Sequence, residues 1–162
     1  MILRASYLLG AVLTMVLGDC PCANTRLATT LNYDATLKGE LAANPMQGKV
    51  ITSWINTKDH TMSTLFGNDP AIKDARAKET PDYRPGSVLS LVTWSWQEDP
   101  RWFGGNIPQK PRSVEVVTVK EGNVYVYQKY ECSPLKQVAN EESATPGEDA
   151  MNLLSQHAAA MP

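Results

Sequence analysis

The side chains best suited to ligate a metal or to take part in catalysis are two histidines and three cysteines, and they are scattered along the chain. His60 and His157 lie far apart in the sequence, and the cysteines are Cys20, Cys22 and Cys132. His60 could ligate a haem iron or a metal ion, although a strand histidine is more often half-buried with one hydrogen bond. His157 falls in the last turn of a helical pattern, where a cation is favourable in any case. We therefore expect no metal ligands among these residues.

Sequence motifs for cofactor binding and nucleophilic catalysis are absent. The chain has no Cys-x-x-Cys-His for covalent haem, no glycine-rich phosphate loop, no His-Glu-x-x-His zinc motif and no Gly-x-Ser-x-Gly elbow. A Ser or Cys nucleophile needs a base, which is usually histidine, so this histidine content disfavours a hydrolase. We predict no catalytic residues, no cofactor and no catalytic activity of the protein's own.

Large aromatic side chains form the one unusual concentration of residues. Trp94 and Trp96 alternate along a strand, and Trp102 and Phe103 lie in a Gly- and Pro-rich stretch that continues with two glycines. Ordinary core packing is one explanation. The other is a ligand pocket or an anchor for a partner protein, because tryptophan is enriched at binding hot spots. These four aromatics are the partner-binding candidates.

A sheet must position these side chains. Alternating or β-branched and aromatic residues predict strands at 49–56, 60–66, 87–97, 113–120 and 124–132, the last two joined as a hairpin by a Gly-containing turn. Two other segments, 98–111 and 133–147, are rich in Gly, Pro or polar residues and predict an irregular connection and a surface strap. The predicted fold class is therefore α+β and β-rich, an antiparallel sheet with flanking short helices.

Three helices are expected around the sheet. Apolar residues at helical spacing predict the first over residues 25–42. Asp69 as a cap and Pro70 at the first helical position open the second, which ends by residue 79. A capping box at residues 145–148 opens the third, near the end of the chain.

Residues 1–23 have the pattern of a signal peptide. Arg4 precedes an apolar stretch of about 14 residues, shorter than the roughly 20 that a membrane-spanning helix needs. An uncleaved anchor is the alternative. Cleavage after Cys22 or Ala23 leaves Cys132 alone, whereas an earlier cut lets an N-terminal cysteine pair with it in an oxidising compartment. We expect a periplasmic protein with one domain at residues 24–162, which a partner complex can hold at a membrane.

Composition and charge limit the classes of partner. The formal net charge of the 162-residue chain is −2, and removing Arg4 and Asp19 with the signal leaves it unchanged. A nucleic-acid partner would favour a basic stripe, so none is expected. Four Trp and six Tyr supply apolar area for a core that no framework of disulfides supports.

Short stretches between residues 62 and 119 carry a family resemblance. They read Ser63-Thr64-Leu65-Phe66-Gly67-Asn68-Asp69, Arg84-Pro85-Gly86-Ser87-Val88-Leu89, Leu91-Val92-Thr93-Trp94, Asp99-Pro100-Arg101-Trp102-Phe103-Gly104, Ile107-Pro108 and Ser113-Val114-Glu115. Together they cover roughly a third to half of the chain and resemble the cytochrome P-460 domain family. The resemblance implies an exported, antiparallel β-rich domain with flanking helices that is often dimeric.

The same resemblance bears on cofactor and activity. Haem-bearing members of that family attach a c-type haem through Cys-x-x-Cys-His close to the C-terminus. Here the corresponding region holds Cys132 without a second cysteine or a following histidine. Covalent haem is therefore not expected, and neither is the P-460-type oxidation of a small nitrogen compound.

An accessory role remains. The small, cofactor-free third subunit of quinohaemoprotein alcohol dehydrogenases is similar in size and compartment. We therefore expect a non-catalytic periplasmic subunit that supports assembly of a larger periplasmic or membrane-bound oxidoreductase. The alternative is a P-460-like protein that binds a non-covalent haem or a small ligand through the aromatic residues.

Overall fold

A single antiparallel sheet dominates the computed structural model, which describes residues 31–77 and 82–156. Its six strands follow one another in space in their sequence order. They are β1 (Lys49–Asn56), β2 (Thr61–Gly67), β3 (Val88–Glu98), β4 (Asn106–Lys120), β5 (Val124–Glu131) and β6 (Lys136–Ser143). Every strand of the described ranges lies within residues 32–162. The predicted α+β, β-rich class is confirmed.

Two helices are described beside the sheet. Helix α1 (Asp69–Ala77) follows β2, and helix α2 (Glu148–Leu154) follows β6. Short 3-10 turns at Tyr33–Ala35 and Pro45–Gln47 precede β1. Within the described ranges, no helix is long and apolar enough to cross a membrane.

The sheet buries both of its faces. One face packs on the helices, and its core members are Ile51, Leu65, Leu89, Val117, Val119, Tyr127 and the helical residues Ala71, Ile72, Ala75, Ala150 and Leu153. The opposite face buries Phe66, Val92, Trp94, Val114, Tyr130 and Leu135 beneath Ala35, Leu37 and Leu41. We call residues 35–48 the covering segment. Apolar positions on both faces explain why the start of β3 lacks alternation.

The predicted helix at 25–42 is wrong over the part that the structure describes; residues 25–30 lie outside the described ranges. After the 3-10 turn, the covering segment is tied to the chain just before β6. The Leu135 N–H donates to the Lys38 carbonyl at 2.7 Å, and the Glu40 N–H donates to the Leu135 carbonyl at 3.0 Å. These bonds replace the i to i−4 bonds of a helix, so tertiary contact overrides the helical spacing.

The helix caps also differ from prediction. Asn68, not Asp69, accepts a hydrogen bond from a first-turn N–H of α1, that of Ala71, at 3.2 Å. Helix α2 has Gly147 at its N-cap with no side-chain cap bond, so the capping box at Thr145 does not form. The Asn68 side-chain oxygen also accepts a hydrogen bond from the Val88 N–H at 3.1 Å, so it links α1 to the start of β3.

Strand β4 begins earlier than predicted. It starts at Asn106 and includes Pro108 and Pro111, so the irregular connection shrinks to residues 99–105. The prolines lie opposite Trp96 and Trp94, where the register between β3 and β4 shifts. A bulge tolerates the missing N–H of proline, which is why a proline-bearing stretch joins the sheet here.

Strand β6 replaces most of the predicted surface strap at 133–147. It pairs with β5 and is exposed along nearly its whole length. An edge strand needs one hydrogen-bonding neighbour and no buried face, so β6 lacks the apolar alternation that predicted the other strands.

Candidate functional site

Trp94 is a core residue. Its side chain is 6% exposed and packs with Phe66, Val92 and Val114. Its indole Nε1–H donates to the Ala35 carbonyl at 2.9 Å, which ties the covering segment to β3. Packing alone explains this residue, so as a partner-binding candidate Trp94 gains no support from the structure.

Trp96 lies two residues further along β3 and is half-buried. Its ring centroid is 5.0 Å from that of His60, with the planes 38° apart. His60 occupies the turn between β1 and β2 with a positive φ of 51°. Among the described residues the buried Trp96 Nε1 has no hydrogen-bond partner. His60 therefore stacks on an indole here, and His157 lies outside the described residues.

Trp102 and Phe103 lie at the tip of the hairpin that joins β3 to β4. Their side chains are 75% and 104% exposed, so neither packs on the sheet. We call residues 99–105 the hairpin tip. Packing against the core therefore does not explain these two aromatic residues in the protein alone.

Backbone bonds shape the hairpin tip. The Asp99 N–H donates to the Gly105 carbonyl at 2.8 Å, and the Gly105 N–H donates to the Trp102 carbonyl at 2.9 Å. The Asp99 carboxylate also accepts from the Arg101 N–H at 2.9 Å. Gly104 has a φ of 76°, which a residue with a Cβ rarely adopts. The loop is braced from within while its two rings point away from the protein's core.

A groove lies on the sheet face opposite the helices, beside the covering segment. Its volume is about 310 Å³. Strands β2 to β5 and the covering segment line it, through Leu41, Ala42, Ala43, Asn44, Pro45, Gly48, Phe66, Gly67, Asn68, Val88, Ser90, Val116, Thr118, Gln128 and Tyr130. We call this the sheet groove. No local sequence pattern predicts this groove, because its residues come together only through strand register.

A tyrosine–carboxylate cluster lies on the helix-covered face. The Tyr127 hydroxyl donates to Glu115 at 2.9 Å and lies 3.4 Å from an Asp149 carboxylate oxygen. Burial, followed by the hydrogen bond to Glu115, raises the pKa of Tyr127. Lys129 lies two residues after Tyr127 on β5, and its pKa is raised chiefly by its hydrogen bond to Glu131.

An ionic pair joins helix α1 to the loop that follows it. The buried Asp74 carboxylate accepts from the Arg84 backbone N–H at 3.0 Å and from the Arg84 guanidinium. The bond from the Arg84 side chain is the main cause that lowers the pKa of Asp74. Burial raises the pKa of the adjacent Tyr83 to about 12.

Each of these shifts reinforces the charge state that the group already has at neutral pH. The pKa of the carboxyl Asp74 is lowered, mainly by its bond from Arg84, while those of Tyr83, Tyr127 and Lys129 are raised. A general acid or base needs a pKa near the working pH, and these shifts move the other way. The perturbed groups therefore act as structural anchors.

Metal ligation has no support in the described ranges. Across residues 31–77 and 82–156, no three or more His, Cys, Asp and Glu side chains are grouped to hold a metal ion. Cys132 is an exposed thiol with a positive φ of 75°. Cys20 and Cys22 lie outside the described residues, so the predicted alternatives for Cys132 pairing stay open.

The four predicted aromatics thus divide into two pairs. Trp94 and Trp96 belong to the sheet, whereas Trp102 and Phe103 form an exposed apolar pair on a braced loop. The structure adds the sheet groove as a second candidate site. A comparison of the chain with protein-family models and with curated proteins finds no match.

Proposed function

We propose that this protein is a non-catalytic accessory subunit that docks through its hairpin tip onto a larger oxidoreductase subunit. The observation that carries the proposal is the exposure of Trp102 and Phe103, at 75% and 104%. Adjacent large apolar rings in water are costly unless a partner covers them. Tryptophan is also among the residues that dominate interface energies.

The bracing of the hairpin tip supports the same proposal. Bonds from Asp99 and Gly105 hold the loop backbone in one shape before any partner arrives. A preorganised loop loses less conformational entropy on binding, so more of the contact energy appears as affinity. The tip combines a rigid support with exposed apolar rings, as an anchor requires.

The class of partner rests on the resemblance to the cytochrome P-460 domain family. Haem-bearing members of that family carry redox chemistry, and this chain lacks the attachment motif beside Cys132. A domain that resembles this family and lacks its haem-attachment motif suits an accessory subunit.

Alanine variants at the tip test the proposal. Phe103→Ala and Trp102→Ala should each keep Tm within a few degrees, because both rings are exposed. At least one should weaken binding to the co-purifying subunit by about 30-fold, the equivalent of about 2 kcal/mol for a hot-spot ring. The same variant should lower the activity of the assembled partner enzyme. Met151→Ala removes an exposed apolar side chain from α2 and is the matched control.

Three results would overturn the proposal. If both variants unfold, the rings are part of the core. If both stay folded and bind the partner as the wild type does, docking uses another surface. If the wild type instead binds phosphatidylcholine vesicles and Phe103→Ala does not, with no protein subunit retained, the tip is a membrane anchor.

A further inference from the structure

The floor of the sheet groove is a row of register partners across four strands. Phe66 pairs with Ser90, Ser90 with Val116, and Val116 with Gln128. Residues aligned in this way share a face of the sheet, so their side chains form one continuous surface. Tyr130 adjoins this row on β5, and Thr118 adjoins it on β4.

Two mostly buried residues of this floor carry hydroxyl groups. Ser90 is 7% exposed and Tyr130 is 2% exposed, and both line the groove. No residue in the described part of the chain makes a hydrogen bond to either hydroxyl. A ligand that carries a hydroxyl or carbonyl group can exchange hydrogen bonds with these hydroxyls.

The walls define the rest of the ligand. Leu41, Pro45 and Phe66 are apolar, and none of the described residues that line the groove is charged. An ionised ligand would lose its hydration there with no opposite charge to compensate. A volume of about 310 Å³ lies at the small end of ligand pockets.

We propose that the sheet groove binds a small uncharged molecule with an apolar body and a hydroxyl or carbonyl group. The apolar body lies between Phe66 and the covering segment. The polar group reaches the hydroxyls of Ser90 and Tyr130 and the amide of Gln128. This site is separate from the hairpin tip, so it goes beyond the docking role and does not depend on it.

Two naphthalene probes test this ligand class. The full exported protein is titrated with 1-naphthol, which is neutral and carries one hydroxyl, and with 1-naphthoate, which has a similar body and a charge. We expect saturable binding of 1-naphthol and at least tenfold weaker binding of 1-naphthoate. Calorimetry measures both.

Matched variants locate the binding. Ala43 is exposed and lines the groove, so Ala43→Trp fills the site without disturbing the core. Ala144→Trp adds the same ring to an exposed loop outside the groove and is the control. Gln128→Leu keeps the size of the side chain and removes its amide. We expect Ala43→Trp to weaken 1-naphthol binding at least tenfold, Gln128→Leu to weaken it three- to tenfold, and Ala144→Trp to leave it unchanged.

The outcomes separate the groove from the tip. The proposal is overturned if the wild type shows no saturable binding of 1-naphthol at about 1 mM, a very weak affinity. It is also overturned if both groove variants bind as the wild type does, or if 1-naphthoate binds as tightly as 1-naphthol. Loss of binding in Phe103→Ala alone would assign the probe to the hairpin tip instead.

Discussion

Asp74 and Arg84 show how one buried charge fixes the geometry of a loop. The Asp74 side chain is 5% exposed, whereas that of Arg84 is 52% exposed. The carboxylate accepts from both the backbone and the side chain of Arg84, so it holds the loop after α1 by two groups at once. Tyr83, the neighbouring residue, is thereby kept in the core.

The lowered pKa of Asp74 gives a pH-dependent stability. We expect Asp74→Asn to lower the free energy of unfolding by about 1.5–3 kcal/mol at pH 7, the range for hydrogen bonds to charged groups. The folded-state pKa lies below the ordinary 3.8, mainly because of the bond from Arg84. The contribution of Asp74 is therefore complete above that value and is lost as pH falls through the folded pKa. Urea unfolding from about pH 7 to pH 2 measures it.

The control for this prediction is an exposed ion pair. Lys120 and Glu142 are 49% and 58% exposed and 3.0 Å apart. Glu142→Gln should cost less than about 1 kcal/mol at any pH, because solvent screens such pairs. A constant difference between Asp74→Asn and the wild type across the acid range would contradict the assignment of Asp74 as the titrating group.

Residue types predicted part of the candidate sites. The Gly- and Pro-rich stretch predicted a loop around Trp102 and Phe103, and both side chains are exposed there. The strand alternation that placed Trp94 on one face could not tell whether another segment covers it. The contacts of Tyr127 with Glu115 and Asp149 join two strands and a helix, so no local spacing predicts them.

The covering segment depends on a close backbone approach at Gly39. Gly39 has a φ of 142° and forms a parallel bridge with Leu135. A Cβ at this position would collide with the Leu135 backbone. Any other residue must therefore push the segment off the sheet.

We expect Gly39→Ala to lower Tm by several degrees and to expose Trp94, whose indole bonds to Ala35 in this segment. A red shift of the tryptophan emission measures the exposure. Gly122→Ala is the matched control, because Gly122 has a positive φ of 74° with no atom near its missing Cβ. Equal effects of the two variants would mean that backbone strain, and not the collision with Leu135, sets the loss.

At the level of elements, the pattern of apolar residues predicted the strands that have buried positions and missed the exposed edge strand β6. The five predicted strands are confirmed, with the start of β4 extended; β2 to β5 bury two or more residues each, whereas β1 buries only Ile51. Strand β6 and the proline-bearing start of β4 follow from pairing with a neighbour, which composition does not reveal. The predicted first helix is wrong because Lys38 and Glu40 hydrogen-bond at long range to Leu135.

The whole sheet predicts an order of local stability. Strands β3 and β4 lie at its centre and contain Val92, Val114 and Val117, all 0% exposed. Strands β1 and β6 each pair on one side within the described sheet. We expect backbone amides of β3 and β4 to exchange with deuterium most slowly, and those of β6 and the hairpin tip to exchange fastest. Mass spectrometry of timed digests measures this order.

The opposite order would be informative. If β6 amides were protected as long as those of β4, a second chain would have to pair with the β6 edge. Repeating the exchange at several protein concentrations distinguishes that case, because protection by a second chain rises with concentration.

Because a backbone hydrogen bond closes the base of the hairpin tip, the residues of this loop can change during evolution. Asp99 and Gly105 join the loop where the two central strands end, and the rings of Trp102 and Phe103 belong to no core cluster. The two positions are thus free to vary without loss of the fold, so partner choice can drift under selection while the scaffold is conserved. In protein engineering terms, the loop is a natural grafting point, where a foreign recognition peptide replaces residues 100–104 and the sheet remains its carrier.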